Sequence, residues 1–363
     1  MADSPRPGQR LILFFDGTWD DVRDCTNVFR MASAIEPYDH STRQRFFYHP
    51  GVGTLPGTQL LGGATGIGLT EILLEGYEWL ARRYEPGDEI WVFGFSRGAY
   101  TARSLAGLIR KCGLMRIVTP GAIEEAAALY RNHDVYPDSV AGDEFRRRYA
   151  RPNVRIHFLG VWDTVGALGI PGNVVLSRPF LKWHDTELSS IVLRAYQAMA
   201  LDEHREEFDV SLWKGAKDNP QVKKAGQIDV EQRWFVGSHG DVGGGCPQDT
   251  LSSIPLRWMQ DKATTAGLVL RPLCTPREDA EMAEIYDSYT PFLGGTYSFL
   301  RSGLSGDRKR FSRRFDEVTQ PAQGEGDEPI RAINVTVDPS VYRRMERDRT
   351  YRPETLEGRH RIT

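Results

Sequence analysis

Cysteine is scarce in this chain. The four residues Cys25, Cys112, Cys246 and Cys274 are far apart among 363 and form no CxxC pair. That spacing argues against a structural zinc site and against a disulfide scaffold, so reduced thiols in a protein made in the cytoplasm are the expectation. Long apolar runs are lacking too. The stretch "LLGGATGIGLTEILL" is crowded with glycine and interrupted by Glu71, well short of the ~18 uncharged residues that a spanning helix needs. No transmembrane segment is expected. The opening "MADSPRPGQR" has no apolar signal-peptide core, so any export would follow a route independent of a cleavable signal. Charge of one sign is missing as well: the net charge is −3, which gives no electrostatic case for a nucleic-acid partner or an anionic membrane. The basic run "FRRRY" at 145–149 reads as a solvated helix face.

What is present belongs to an ordinary globular protein. Forty per cent of the residues are apolar and 26% charged, in a chain long enough for one large domain over 1–363. Short runs rich in β-branched and aromatic residues read as buried strands: "RLILFFDGT" (10–18), "EIWVFGFS" (89–96), "VRIHFLGVWDT" (154–164) and "QRWFVGSHGD" (232–241). Helical patterns lie between them. "TEILLEGYEWLARRY" sets Ile72, Leu73, Tyr77, Leu80 and Ala81 on one face, and "AYTARSLAGLIRKCG" stops at Gly113, a C′ glycine. Strands alternating with helices imply a doubly wound, mostly parallel α/β sheet with helices on both faces. Regions at about 170–230 and 271–328 read as insertion, lid or loop, with "TQPAQGEGDEP" as an irregular stretch. "RAINVTVDPSVYRRM" reads as a last strand and short helix.

Polar residues gather where the strands end, which is where open α/β sheets collect ligands. Gly94-Phe95-Ser96-Arg97-Gly98 is a G-x-S-x-G pattern with a strand before it and a helix after it. A nucleophile on so sharp a turn needs small residues two before and two after, because strand and helix crowd those positions. The helix start also offers the Arg97 N–H as an oxyanion donor. Serine needs a base, and of eight histidines only His239 follows a strand in a glycine-rich loop, "VGSHGDVGGG". The acid is Asp163, at the end of "FLGVWD", or Asp241, two residues from His239; Asp163 gives the order Ser-Asp-His typical of α/β-hydrolases. A second oxyanion donor would come from "FFDGTW", as the N–H of Gly17 or Thr18 with Asp16 bracing the turn; a plain Asx-type turn is the alternative.

Two other motifs fail on single residues. "GATGIGLT" has phosphate-loop spacing but Leu69 where the lysine must stand, and "FFDGT" has Phe14 where a phosphatase nucleophile would stand. No metal and no cofactor is called for.

With these residues in hand, the chain resembles the type VI secretion phospholipase effectors of the Tle1-like group, the DUF2235 α/β-hydrolase domain. The segments that carry the resemblance are "LFFDGTWD", "YHPGVGT", "FGFSRGAYTAR", "FLGVWDTVGALG", "ALDEHREEFD", "WFVGSHGDVGGG" and "SVYRRM…YRPETL". The resemblance implies that Ser96, Asp163 and His239 form a triad hydrolysing acyl esters of glycerophospholipids. It also implies delivery into a target cell's periplasm, peripheral membrane contact, and a secretion-system component or immunity protein as partner. No long membrane-anchoring module is expected. Apolar residues of "IPGNVVLSRPFLKWHD" (170–185) and "YTPFLGGTYSFL" (289–300) are candidates for an acyl pocket or lid. The competing functions are a carboxylesterase or thioesterase on a soluble substrate, and a non-catalytic binding or defence protein with the same fold.

Overall fold

The apolar run "RLILFF" forms strand β1 (Arg10–Phe15), buried at every position after Arg10, as a strand covered on both faces must be. The computed structural model describes residues 8–17, 25–39, 42–51, 66–132, 134–166, 188–214, 226–291, 310–318 and 330–358. Within them the chain continues through β2 (Tyr38–Asp39), β3 (Thr42–His49), β4 (Glu89–Phe95), β5 (Ile156–Trp162), β6 (Arg194–Ala200), β7 (Asp229–Phe235) and β8 (Val335–Val337). In space the order is β8-β7-β6-β5-β4-β1-β3-β2. All pairings are parallel except the edge pair β2–β3.

Helices cover both faces. These are α1 (Asn27–Ser33), α2 (Gly66–Ala81), α3 (Ser96–Cys112), α4 (Pro120–Arg131), α5 (Val140–Tyr149), α6 (His239–Gly243), α7 (Ser253–Thr265) and α8 (Pro339–Arg347). The two-residue period of the strands sorts the core. Leu11, Leu13, Phe15, Ile90 and Val92 pack with α2, α3 and α4, while Ile12, Phe14, Trp91 and Phe93 pack with α1 and α7. A third apolar cluster joins Met199, Trp234, Val337 and Val341 to Phe315 at the β8 end. The doubly wound, mostly parallel sheet with helices on both faces is thus the architecture of the chain.

Strand order reverses at β1. The chain passes from β1 outward to β3, then returns to β4 on the other side and continues to β5. The crevice above the C-terminal ends of β1 and β4 is therefore a switch point, where open sheets place their ligands. Helix α3 ends at Gly113, whose φ is 74° and whose N–H donates to the Ile109 carbonyl at 2.8 Å. The "FRRRY" run lies on α5, with Arg147 and Arg148 exposed.

The reading of about 170–230 as an insertion needs correction, because residues 194–200 form a central strand of the sheet. "RAYQAMA" is rich in alanine, with no β-branched residue, and looks helical by propensity. Burial between β5 and β7 overrides that preference. The described part of 271–328 also packs on the body, with Phe315 stacked on Trp234 at 6.5 Å between ring centroids. The lid candidate 170–185, most of 289–300 and the Gly/Pro-rich stretch after Val318 lie outside the described residues.

The turn from β4 into α3 depends on close backbone approach. A Cβ on Gly98 would lie 2.1 Å from the Phe15 carbonyl oxygen and 2.4 Å from that of Asp16. Gly98→Ala should lower unfolding stability by about 1–3 kcal/mol. Gly121→Ala, in α4 with open space around its Cβ, should be neutral or stabilising by up to about 1 kcal/mol. Urea denaturation of the two variants checks the contrast.

Candidate active site

Ser96 sits at the junction of β4 and α3 with φ 56°, a left-handed conformation that an L-residue holds only when its surroundings impose it. The imposing contacts come from its neighbours. A Cβ on Gly94 would meet the Gly98 carbonyl oxygen at 2.5 Å, while Gly98 lies against β1. The result lifts the serine hydroxyl to the C-terminal edge of the sheet at the switch point.

His239 opens the short helix α6 just beyond β7. Gly237, at φ 115°, makes the turn before it, where a Cβ would come 2.4 Å from Asp241 Cβ. Asp241 Oδ2 accepts the Ser238 N–H at 2.9 Å, the Ser238 hydroxyl at 3.0 Å and the Tyr286 N–H at 3.0 Å. Asp241 therefore fixes the histidine loop, and burial raises its carboxyl above the usual range.

Asp163 follows β5 at φ 39°, and its N–H donates to the Ala198 carbonyl at 2.7 Å. The three sequence-predicted residues meet in one line. His239 Nε2 lies 2.8 Å from Ser96 Oγ, and His239 Nδ1 lies 2.6 Å from Asp163 Oδ2. The imidazole is held between Phe95 and Phe208, with ring centroids at 4.7 and 5.2 Å.

Asp163 has no exposed surface. Burial opposes its ionisation, yet the Arg313 guanidinium and the His239 ring together hold the carboxyl well below the usual carboxylate range. Arg313 Nη1 reaches Oδ1 at 2.6 Å and Nη2 reaches Oδ2 at 2.9 Å, while the Ala200 N–H donates to Oδ1 at 2.9 Å. For His239 burial is the larger influence and lowers the ring's pKa, with Asp163 pulling the other way.

A second buried carboxylate supports the loop. Glu203 accepts the Arg205 Nε–H and Nη2–H at 2.8 Å each, the Ser288 hydroxyl at 3.0 Å and the His239 N–H at 3.3 Å. Burial is the largest single influence and opposes its charge, but the hydrogen bond and charge of Arg205, with Arg313 and His239, together take its pKa to about 2. The Arg205 guanidinium lies 3.6 Å above the Phe208 ring.

At the end of β1, Asp16 Oδ2 accepts the Thr26 hydroxyl at 2.6 Å and the Tyr48 hydroxyl at 2.8 Å. Its Oδ1 accepts the Gly17 N–H at 2.8 Å, so in this conformation Gly17 donates within the turn. Thr18 lies outside the described residues. Arg97 directly follows Ser96 in the first turn of α3, at the positive end of the helix. The other described histidines bind elsewhere: His49 Nδ1 accepts the Gly51 N–H, His157 Nε2 meets the Ala266 carbonyl and His204 Nδ1 meets that of Phe311. Among the described residues, no group of three or more His, Cys, Asp or Glu could hold a metal ion.

Arg313, Glu203, Arg205 and Phe208 are site residues that sequence reasoning did not assign. Glu203, Arg205 and Phe208 stand inside "ALDEHREEFD", where a run of polar residues just past an unrecognised strand was the available signal. Arg313 stands in "DRKRFSRRF", whose charge density resembles a solvated surface.

The catalytic-domain model of the type VI secretion phospholipase effector Tle1-like family matches residues 9–262. An uncharacterized protein of Saccharomyces cerevisiae is 32% identical over 226 residues, which are 55% of this chain and 32% of that protein. Among solved structures, an uncharacterized protein from Pseudomonas aeruginosa aligns at 21% identity and TM-score 0.43, over 73% of this chain and 47% of the other. A Tle1 effector bound to the VgrG spike aligns at 20% identity and TM-score 0.39, over 67% and 53%. The esterase Est2 of Thermogutta terrifontis aligns at 13% identity and TM-score 0.37, over 75% and 86%. The chain thus spans about a third of the yeast relative and about half of the first two structures. On the match over residues 9–262, the chain belongs to the Tle1-like catalytic-domain family of type VI secretion phospholipase effectors.

Proposed function

We propose that the chain is a serine hydrolase that cleaves acyl esters of glycerophospholipids through Ser96, His239 and Asp163. The observation that carries this reading is the buried line of hydrogen bonds from Ser96 Oγ through both ring nitrogens of His239 to Asp163. An ionised Asp163 facing Nδ1 keeps the ring proton on that nitrogen, which leaves Nε2 as the acceptor for the serine proton.

In the first half-reaction Ser96 Oγ forms a bond to the acyl carbon while Nε2 takes the hydroxyl proton. Asp163 stabilises the resulting imidazolium. The oxyanion is held by the Arg97 N–H at the positive end of α3. A second donor is assigned to the loop after β1, either Gly17, exchanging Asp16 for the oxyanion, or Thr18. Collapse breaks the ester C–O bond, and the imidazolium returns its proton to the leaving alcohol. Water then enters, gives its proton to Nε2 and attacks the acyl-enzyme, which releases the fatty acid and restores Ser96.

Membership of an effector family extends the proposal to partners. A lipid substrate with peripheral membrane contact, a secretion-system component and an immunity protein are the partners proposed. The place of action proposed is a target cell's periplasm. No helix among the described residues is long and apolar enough to cross a membrane.

Phosphatidylethanolamine in mixed micelles should yield free fatty acid with the wild-type chain, and Ser96→Ala should lose about 10⁴-fold or more of that rate. Turnover of short p-nitrophenyl esters with none on lipid would reject the substrate, and retained turnover in Ser96→Ala would reject the triad. The strained serine gives a stability test as well. Both Ala and Gly at position 96 lose the hydroxyl, but only Gly relieves φ 56°. Ser96→Gly should therefore be more stable than Ser96→Ala by about 1 kcal/mol. Because burial lowers the His239 pKa, the acid limb of kcat/KM should have its midpoint below 6.5. The same depressed pKa means the unfolded chain binds the proton more readily. This ring should thus contribute a loss of fold stability as pH falls below about 6.5.

A further inference from the structure

We propose that Arg313 is a positioning residue for this reaction: its guanidinium neutralises Asp163 and fixes the plane of the carboxylate that meets the His239 ring. The inference rests on the triad reading above and adds a residue that lies outside 9–262, the span matched by the family model.

The geometry is specific. Arg313 is 2% exposed, and both terminal nitrogens engage Asp163, one with each carboxylate oxygen. Nη1 also donates to the Ala200 carbonyl at 2.8 Å, and Nη2 donates to the Phe208 carbonyl. Two parallel N–H···O bonds fix the plane of a carboxylate as well as its charge. The plane of Asp163 in turn fixes the imidazole, since the same Oδ2 that receives Nη2 receives His239 Nδ1.

Glu203 and Asp209 also favour the charged form of Arg313, but its hydrogen bonds to a carboxylate go to Asp163. Around this pair, the segment after β6 brings Glu203, His204, Arg205 and Asp209, and α6 brings His239. Glu203 is taken by Arg205 through two bonds of 2.8 Å. Asp209 Oδ1 accepts the Val210 N–H at 2.9 Å, and His204 Nδ1 meets the Phe311 carbonyl.

Removing the guanidinium would act in one direction by two routes. An Asp163 without its counter-charge would ionise at higher pH, and the enzyme needs it ionised. Where it stayed ionised, its unshared charge would raise the basicity of His239. Either way the base would be lost at a higher pH.

Arg313→Gln should therefore move the acid limb of kcat/KM upward by about one pH unit or more. Arg313→Lys keeps a point charge but loses the fork, so its limb should stay within about half a unit of wild type while kcat falls. A packing defect alone would lower the folded fraction and leave the limb where it was. An Arg313→Gln protein that folds by circular dichroism and keeps the wild-type limb would overturn the proposal.

Should Arg313→Gln fail to fold, Arg313→Lys decides: kcat lowered several-fold per folded enzyme with an unmoved limb is expected, and an unchanged kcat would overturn the role of the Arg313 fork. Hydrolysis surviving in Ser96→Ala would refute the triad itself. An inactive Ser96→Ala beside an unmoved Arg313→Gln limb would refute only this inference.

Discussion

A carboxylate with no exposed surface must be held charged by what surrounds it, and Asp163 is the constraint around which this site is organised. Burying an unpaired anion is costly enough that the group would ordinarily neutralise instead. Arg313, the Ala200 N–H and the His239 ring supply that pairing from three separate parts of the chain. Strand β5 delivers Asp163, β6 delivers Ala200, and the segment 310–318 delivers Arg313. Sheet, loop and charge network are therefore one assembly, and disturbing any of them moves the carboxylate that meets the His239 ring.

The serine side of the site is held by sterics rather than charge. Gly94 and Gly98 admit the backbone of β1 and α3 to distances no side chain would permit, and Ser96 carries the resulting left-handed conformation. Because β1 and β4 are neighbours at the point where strand order reverses, the same contact sets the elbow beside the Asp16 turn. The histidine arrives from the other direction, along β7, in a loop whose conformation depends on Gly237 and on Asp241. Each member of the line is positioned by a different physical device.

Much of this was legible in the sequence, for reasons that can be named. Apolar runs covered on both faces announced β1, β4, β5 and β7, and the small residues around Ser96 announced a turn too tight for anything larger. His239 stood out because a glycine-rich loop after a strand leaves an imidazole free to approach its neighbours. Three strands, β2, β3 and β6, escaped notice. "TRQRFFYH" of β3 mixes cations with aromatics because it is mostly half-buried next to the short edge strand β2, and "RAYQAMA" of β6 is alanine-rich because both its faces are crowded. Telling Asp163 from Asp241 needed coordinates, since both stand near glycine-rich strand ends and only position shows that Asp241 Oδ2 is taken by the Ser238 N–H and hydroxyl and the Tyr286 N–H. Arg313 was hidden for the opposite reason: pairing over 150 residues of separation leaves no local pattern.

The central claim is that the Ser96 hydroxyl is activated by His239. Labelling the folded chain with a fluorophosphonate and mapping the adduct by peptide mass spectrometry tests it most directly. The account predicts a single covalent adduct on Ser96, with ester hydrolysis lost in proportion to labelling. An unlabelled Ser96 in a preparation that hydrolyses esters, or an adduct on another serine that abolishes the activity, would contradict it.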